Sequence, residues 1–224
     1  MAYIDATSKQ LAGAAATDDV TYLQKSLDED LPLNTPWTFW IDRTDIRGLS
    51  AEDYERNLKQ IYTVDTVQKF WQVFNNIPSV DELGCNYSYH LMREQYRPVR
   101  EDAIHQNGGA WRIKCYHEDT KQLWKELLLA AIGEQLTDPE DPTELLGVSV
   151  ALKDREDMMQ LWHANANAAP HSQVVKRLRQ ILPPSASIHS LFYKAHHSIG
   201  THHSNGSGGG GFPSTTHHNN NRMF

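Results

Sequence analysis

Four residues spread over about a hundred positions could together recognise a nucleotide: Tyr54, Glu101, Lys153 and Arg155. Such recognition needs a π-face for the base, an acceptor for its edge donors and cations for its phosphates. Stacking contributes roughly 1–3 kcal/mol per base. A cationic base, such as a methylated guanine, adds cation–π attraction to the same plates, and its bond to a carboxylate becomes charge-assisted. Catalytic chemistry is poorly represented. There is no G-x-S-x-G, no P-loop and no H-E-x-x-H. Cys85 and Cys115 lie near histidines in the sequence, but free cysteines are usually buried and inert. Glu101 and Asp102 are adjacent acids; on a strand they would point to opposite faces and share no substrate atom. The pattern is that of a binding protein without a catalytic step.

The elements that must hold this set can be read from periodicity. Trp37–Ile41 is aromatic and β-branched and predicts a strand after Pro32 and Pro36. Ser50-Ala51-Glu52-Asp53 resembles a capping box and starts a short helical turn holding Tyr54. A strand follows over Lys59–Val64. Thr66 is a good N-cap for a helix with Val67, Phe70, Trp71 and Phe74 on one stripe, ending before Pro78. Asn86–Leu91 alternates as a strand, and Trp111, Ile113 and Cys115 alternate after the Gly108-Gly109 turn. Leu123, Trp124, Leu127, Leu128 and Ala131 form a second helical stripe ending near Gly133. Val148–Lys153 is a strand with one polar face, and Met159, Leu161 and Trp162 continue a hairpin from it. Val174, Val175, Leu178 and Ile181 make a third helix closed by Pro183-Pro184, and Ile188–Tyr193 is a last strand. These elements predict an α+β domain in which three helices cover one face of an antiparallel sheet. The other face, left open, is a natural ligand site.

Composition bounds the partners. The 224 residues hold 21 Lys+Arg against 28 Asp+Glu, for a net charge of −7. A pI of about 5.9 argues against non-specific coating of nucleic acid phosphates and leaves room for one nucleotide in a pocket. No run of about 18 apolar residues suggests a membrane span, and Met1–Gln10 does not read as a secretory signal. Two cysteines cannot build a disulfide framework, and a reducing cytosol is the default compartment. No metal or other cofactor is implied. Residues 1–30 read as a disordered arm, 31–195 as the domain and 196–224 as a disordered tail. Six of the twelve histidines lie in that tail, which reads as a low-complexity segment rather than a metal site. The six tryptophans are the unusual count.

Several stretches carry a resemblance: Trp37-Thr38-Phe39-Trp40, Asp65-Thr66-Val67 through Phe70-Trp71, Gly108-Gly109-Ala110-Trp111, Trp124-Lys125-Glu126-Leu127-Leu128, Ile132-Gly133-Glu134-Gln135 and Gly147-Val148-Ser149-Val150. Over about Leu31–Tyr193 the chain resembles the eukaryotic translation initiation factor 4E family, the messenger-RNA cap-binding proteins. Tyr62-Thr63-Val64, Asn75-Asn76-Ile77-Pro78, Ser88–Arg93 and Asp154–Asp157 are most similar to its type 3 class. The resemblance implies a curved antiparallel sheet of about eight strands, three helices on its convex face and a concave cap site. There, by resemblance, Glu101 reads the base, Lys153 and Arg155 grip phosphates and Trp162 contacts the methyl group. Tyr54 falls on the first stacking tryptophan and Arg100 on the second. Met158 stands where the family often has a basic phosphate contact. A guanidinium can stack on a π-face, but 7-methylguanine is itself cationic, so Arg100 exchanges an attractive plate for a like charge.

The resemblance also implies a partner surface for a helix of the scaffold factor 4G or of 4E-binding proteins, at Pro32, Val67, Trp71, Glu126, Leu129 and Gly133. Helical spacing alone reads Trp71 as core; the resemblance reads it as exposed. Lys125 departs there from an apolar residue. Trp37, Trp40, Trp111 and Trp124 read as structural. Two functions follow: a cytoplasmic, monomeric cap-binding factor in translation initiation or its regulation, or an interaction module that competes for partner helices without useful cap binding.

Overall fold

A computed structural model describes residues 30–43, 51–137, 145–182 and 188–196. Alternating apolar side chains build seven strands among them: β1 (Pro32–Arg43), β2 (Lys59–Thr66), β3 (Tyr87–Arg93), β4 (Gly109–Cys115), β5 (Leu145–Ala151), β6 (Asp157–His163) and β7 (Ile188–Ala195). They form one sheet in the order β2-β1-β3-β5-β6-β4-β7, every pair antiparallel. The described residues thus hold seven strands where about eight were expected. β1 is longer than its aromatic centre suggests. The register of β1 with β2 shifts between Pro32 and Trp37, so the ladder accommodates Pro36, which lacks an N–H to donate.

Three helices, α2 (Val67–Asn76), α3 (His117–Ile132) and α4 (Val174–Ile181), supply the side chains that bury one face. Thr66 accepts from the Lys69 amide at 3.2 Å, which fixes the start of α2. Pro78 forbids its continuation. The core joins Trp37, Phe39, Leu91, Val148 and Leu161 of the sheet to Phe70, Leu123, Leu127 and Leu178 of the helices. Trp37 and Trp124 are buried, while Trp40 and Trp111 are half-buried supports. Gly147 is required by close approach: a methyl there would collide with the sulfur of Met92, which packs with Leu146 and Trp162.

Directly opposed residues of antiparallel strands share a face. On the face away from α2 and α3, one row therefore runs Trp40, His90, Ser149, Gln160, Arg112, Phe192. The next runs Asp42, Ser88, Ala151, Met158, Lys114, Ser190. This face was expected to lie open, yet β5 is buried along its whole length and Trp162 is 2% exposed. The short helix α1 (Ala51–Asn57) and the β3–β4 connection fold over the centre of the sheet. Among the described residues no helix is long and apolar enough to cross a membrane. The expected arm and tail, and Pro183-Pro184, lie outside the described residues, save for Asp30 and for His196, which packs on Trp162.

Candidate functional site

The cover and the sheet enclose a cleft of about 440 Å³. Five of the six residues expected to bind a nucleotide line it: Tyr54, Arg100, Glu101, Lys153 and Trp162. Tyr54 comes from α1, and its hydroxyl lies 3.2 Å from Asp42 Oδ2 and 3.3 Å from the Pro98 carbonyl oxygen. Burial, and then the Asp42 charge, push its phenol above the ordinary range, so Tyr54 remains a neutral donor. A polar chain continues behind it. His90 Nε2 is 3.6 Å from Asp42 Oδ2, His90 Nδ1 is 2.7 Å from Ser149 Oγ, and Trp162 Nε1 donates to the same Ser149 oxygen at 2.7 Å. This chain connects the two aromatic members of the site. Burial alone would raise the Asp42 carboxyl, but the adjacent His90 ring, with hydrogen bonds from Ser88 and Tyr54, holds it below the usual value. Sequence reasoning missed Asp42, His90 and Ser149. Their signal was alternation, since each adjoins a core-facing Ile41, Tyr89 or Val148.

Arg100 is exposed at the mouth and donates to Gln160 Oε1 at 3.4 Å. Arg112, also missed, rises from β4 into the same cleft. Burial, and then the Arg100 charge, lower its guanidinium below the ordinary value. Glu101 and Asp102 do diverge, for a reason other than the one expected. They lie in a turn rather than on a strand, and Asp102 is drawn to Arg97 at 2.8 Å while Glu101 lines the cleft. Lys153 sits at the wall, its backbone amide held by Asp157 Oδ1 at 2.9 Å. Arg155 is exposed on the β5–β6 turn and does not line the cleft, whereas Met158 does. Trp162, His105 and His196 form a three-ring cluster, with Trp162 5.0 Å from His105, 5.1 Å from His196 and the two histidines 6.1 Å apart.

The second expected set lies on the helix-covered side. Pro32 pairs with Thr66 at the start of α2, where the Val67 amide donates to Leu31 O at 2.8 Å. Glu126, Leu129 and Gly133 recur at i, i+3 and i+7 along α3 and its C-cap. Trp71 is half-buried, edge-on to Phe70 at 5.3 Å and Phe74 at 5.6 Å, with Lys125 Nζ 5.9 Å from its ring centre. It is partly core and partly surface, which reconciles the two readings of that residue.

The profile of the family described as eukaryotic initiation factor 4E matches residues 32–208. The chain belongs to that family. Factor 4E proteins are non-enzymatic, cap-binding translation initiation factors. Initiation factor 4E-1 of Phaseolus vulgaris is 32% identical over 164 residues, covering 73% of this chain and 70% of that protein. Factor 4E of Saccharomyces cerevisiae is 28% identical over 208 residues, covering 89% and 96%. Among solved structures, C. elegans eIF4E-3 in complex with the 4E-binding protein Mextli and a cap analogue is similar at 28% identity and a TM-score of 0.63, covering 75% of this chain and 94% of that one. Ascaris suum eIF4E-3 in complex with an m2,2,7G cap gives 27% identity and a TM-score of 0.63, covering 76% and 93%. Both structural neighbours carry the name eIF4E-3.

Proposed function

We propose that this chain binds the 5′ cap of messenger RNA with a weakened preference for the methylated base, and that it engages a partner helix through Trp71 and its neighbours. It acts in translation initiation or its regulation, in the cytoplasm, as a monomer built on one domain of about residues 31–195. The observation that carries the reading is the shared cleft of Tyr54, Glu101, Lys153 and Arg100. Tyr54 supplies a plate, Glu101 a charge-assisted acceptor and Lys153 a phosphate cation. Arg100 brings a like charge to the cationic base, offset in part by Glu101 and the cap phosphates. The complexes of C. elegans eIF4E-3 with Mextli and a cap analogue support both surfaces by similarity. The second reading, a competitor for partner helices without useful cap binding, is favoured by Arg100 and by Met158 in place of a cation.

Capture on a cap-analogue resin separates them. Glu101→Ala should abolish capture with the fold intact, while Trp71→Ala should lose a 4G-type or 4E-binding-protein helix and keep the resin. Capture unaffected by Glu101→Ala would contradict the cap site, and retention of every partner helix by Trp71→Ala would contradict the second surface.

A further inference from the structure

Arg112 and Phe192 are directly opposed on β4 and β7, on the cleft side of the sheet. Arg112 Nε is buried with no hydrogen-bond partner, and among the described residues no carboxylate lies within 4.0 Å of its guanidinium. A buried donor left unpaired is costly, so this group is prepared for an acceptor that the described residues do not supply. The Arg100 charge acts on the same guanidinium and strengthens the demand for an anion. Phe192 is 39% exposed on the edge strand next to it. Lys194, exposed one row away, adds a further cation. The strip therefore leads out of the cleft from an unpartnered guanidinium to an open aromatic face. That sequence of groups suits a single-stranded nucleotide chain, in which phosphate and base alternate and every base has a π-face.

We propose that the β4–β7 strip is the path of the RNA beyond the guanosine. Arg112 takes an oxygen of the bridging polyphosphate and Phe192 stacks the first base that follows it. The proposal rests on the cap reading for its direction, and the experiment separates the two. Three ligands are titrated: the methylated cap mononucleotide, a capped dinucleotide, and an uncapped trinucleotide with a 5′-triphosphate. The capped dinucleotide binds wild type more tightly than the mononucleotide. Phe192→Ala removes that advantage, about tenfold, and weakens the uncapped trinucleotide alike, while Phe192→Tyr keeps both. Arg112→Met lowers the salt slope of all three by about one. Thermal melting checks each variant for folding; Phe192 is exposed, so its truncation leaves the core intact. If the mononucleotide fails to bind wild type, the cap reading falls, and loss of the uncapped trinucleotide in Phe192→Ala still supports the strip. If Phe192→Ala leaves both RNA-containing ligands unchanged, or the capped dinucleotide has no advantage because the chain's own tail covers the strip, the proposal is overturned.

Discussion

Arg100 stands, in the proposed pocket, where the resemblance puts a second stacking tryptophan. In the proposed reading this exchange removes a plate and adds a charge, offset in part by the exposed carboxylate of the neighbouring Glu101. Tyr54, by contrast, shares its one hydroxyl proton between Asp42 Oδ2 at 3.2 Å and the Pro98 carbonyl at 3.3 Å, which holds its ring at the cleft wall. The buried polar chain from Asp42 to Ser149 lies behind it. His105 shows how sensitive such packing is to protons. It is fully buried, its Nε2 lies 2.8 Å from the Arg97 carbonyl oxygen, and burial lowers its pKa below 6.5 despite that bond. Above 6.5 the ring is neutral in both the folded and the unfolded chain, so it contributes no pH dependence. Below it, the unfolded chain takes up a proton that the folded one refuses, and stability falls as the pH drops toward the folded value. Thermal melts between pH 7 and 5 should show this slope, and His105→Phe should flatten it. An unchanged slope in the variant would exclude His105 as its source.

At the scale of elements, the ties between strands and helices matter more than any single surface. Arg93 of β3 stacks 4.7 Å from the Trp37 ring of β1. Its guanidinium reaches Leu145 O at 2.9 Å, Thr35 Oγ1 at 2.6 Å and the Glu134 carboxylate at 2.8 and 2.5 Å. One cation thus joins β1, β3, β5 and the end of α3, beside Gly133 of the proposed partner surface. Removing one member of a buried pair leaves a charge unpaired. Glu134→Ala should therefore cost about 3 kcal/mol, read as a lower urea midpoint at constant slope. A loss under about 1 kcal/mol would mean that solvent already screens the pair. The strands and helices themselves were largely legible, because alternation and the 3.6-residue stripe are local signals. Thr66 marked its helix start correctly for the same reason. What sequence did not disclose was the cover: nothing in the local pattern says that Tyr54 bonds to Pro98, or that His105 reaches Trp162. Arg155 was placed in the site both by its charge and by resemblance, and it stands outside the cleft, since its turn carries it to solvent. Arg112 was not legible as a site residue because in the sequence it is only the polar half of an alternation whose apolar half, Trp111 and Ile113, signals the strand.

For the molecule as a whole, the net charge of −7 and the cleft are compatible. The cleft gathers three cationic side chains, Arg100, Arg112 and Lys153, and the proposed recognition of one nucleotide would need only such a local set and no basic surface. The six tryptophans divide between roles: Trp37, Trp40, Trp111 and Trp124 support the fold, Trp71 bridges core and surface, and Trp162 stands in the cleft wall. Family membership establishes what kind of protein this is; how far it departs from its relatives rests on Arg100. The measurement that tests this most directly is a fluorescence titration with methylated and unmethylated cap analogues, repeated on Arg100→Trp. Weak binding with little methyl preference is predicted for the wild type, and a gain of about tenfold for the methylated analogue in the variant, the size of one restored cation–π plate. Tight, methyl-selective binding by the wild type, unchanged in Arg100→Trp, would contradict the account.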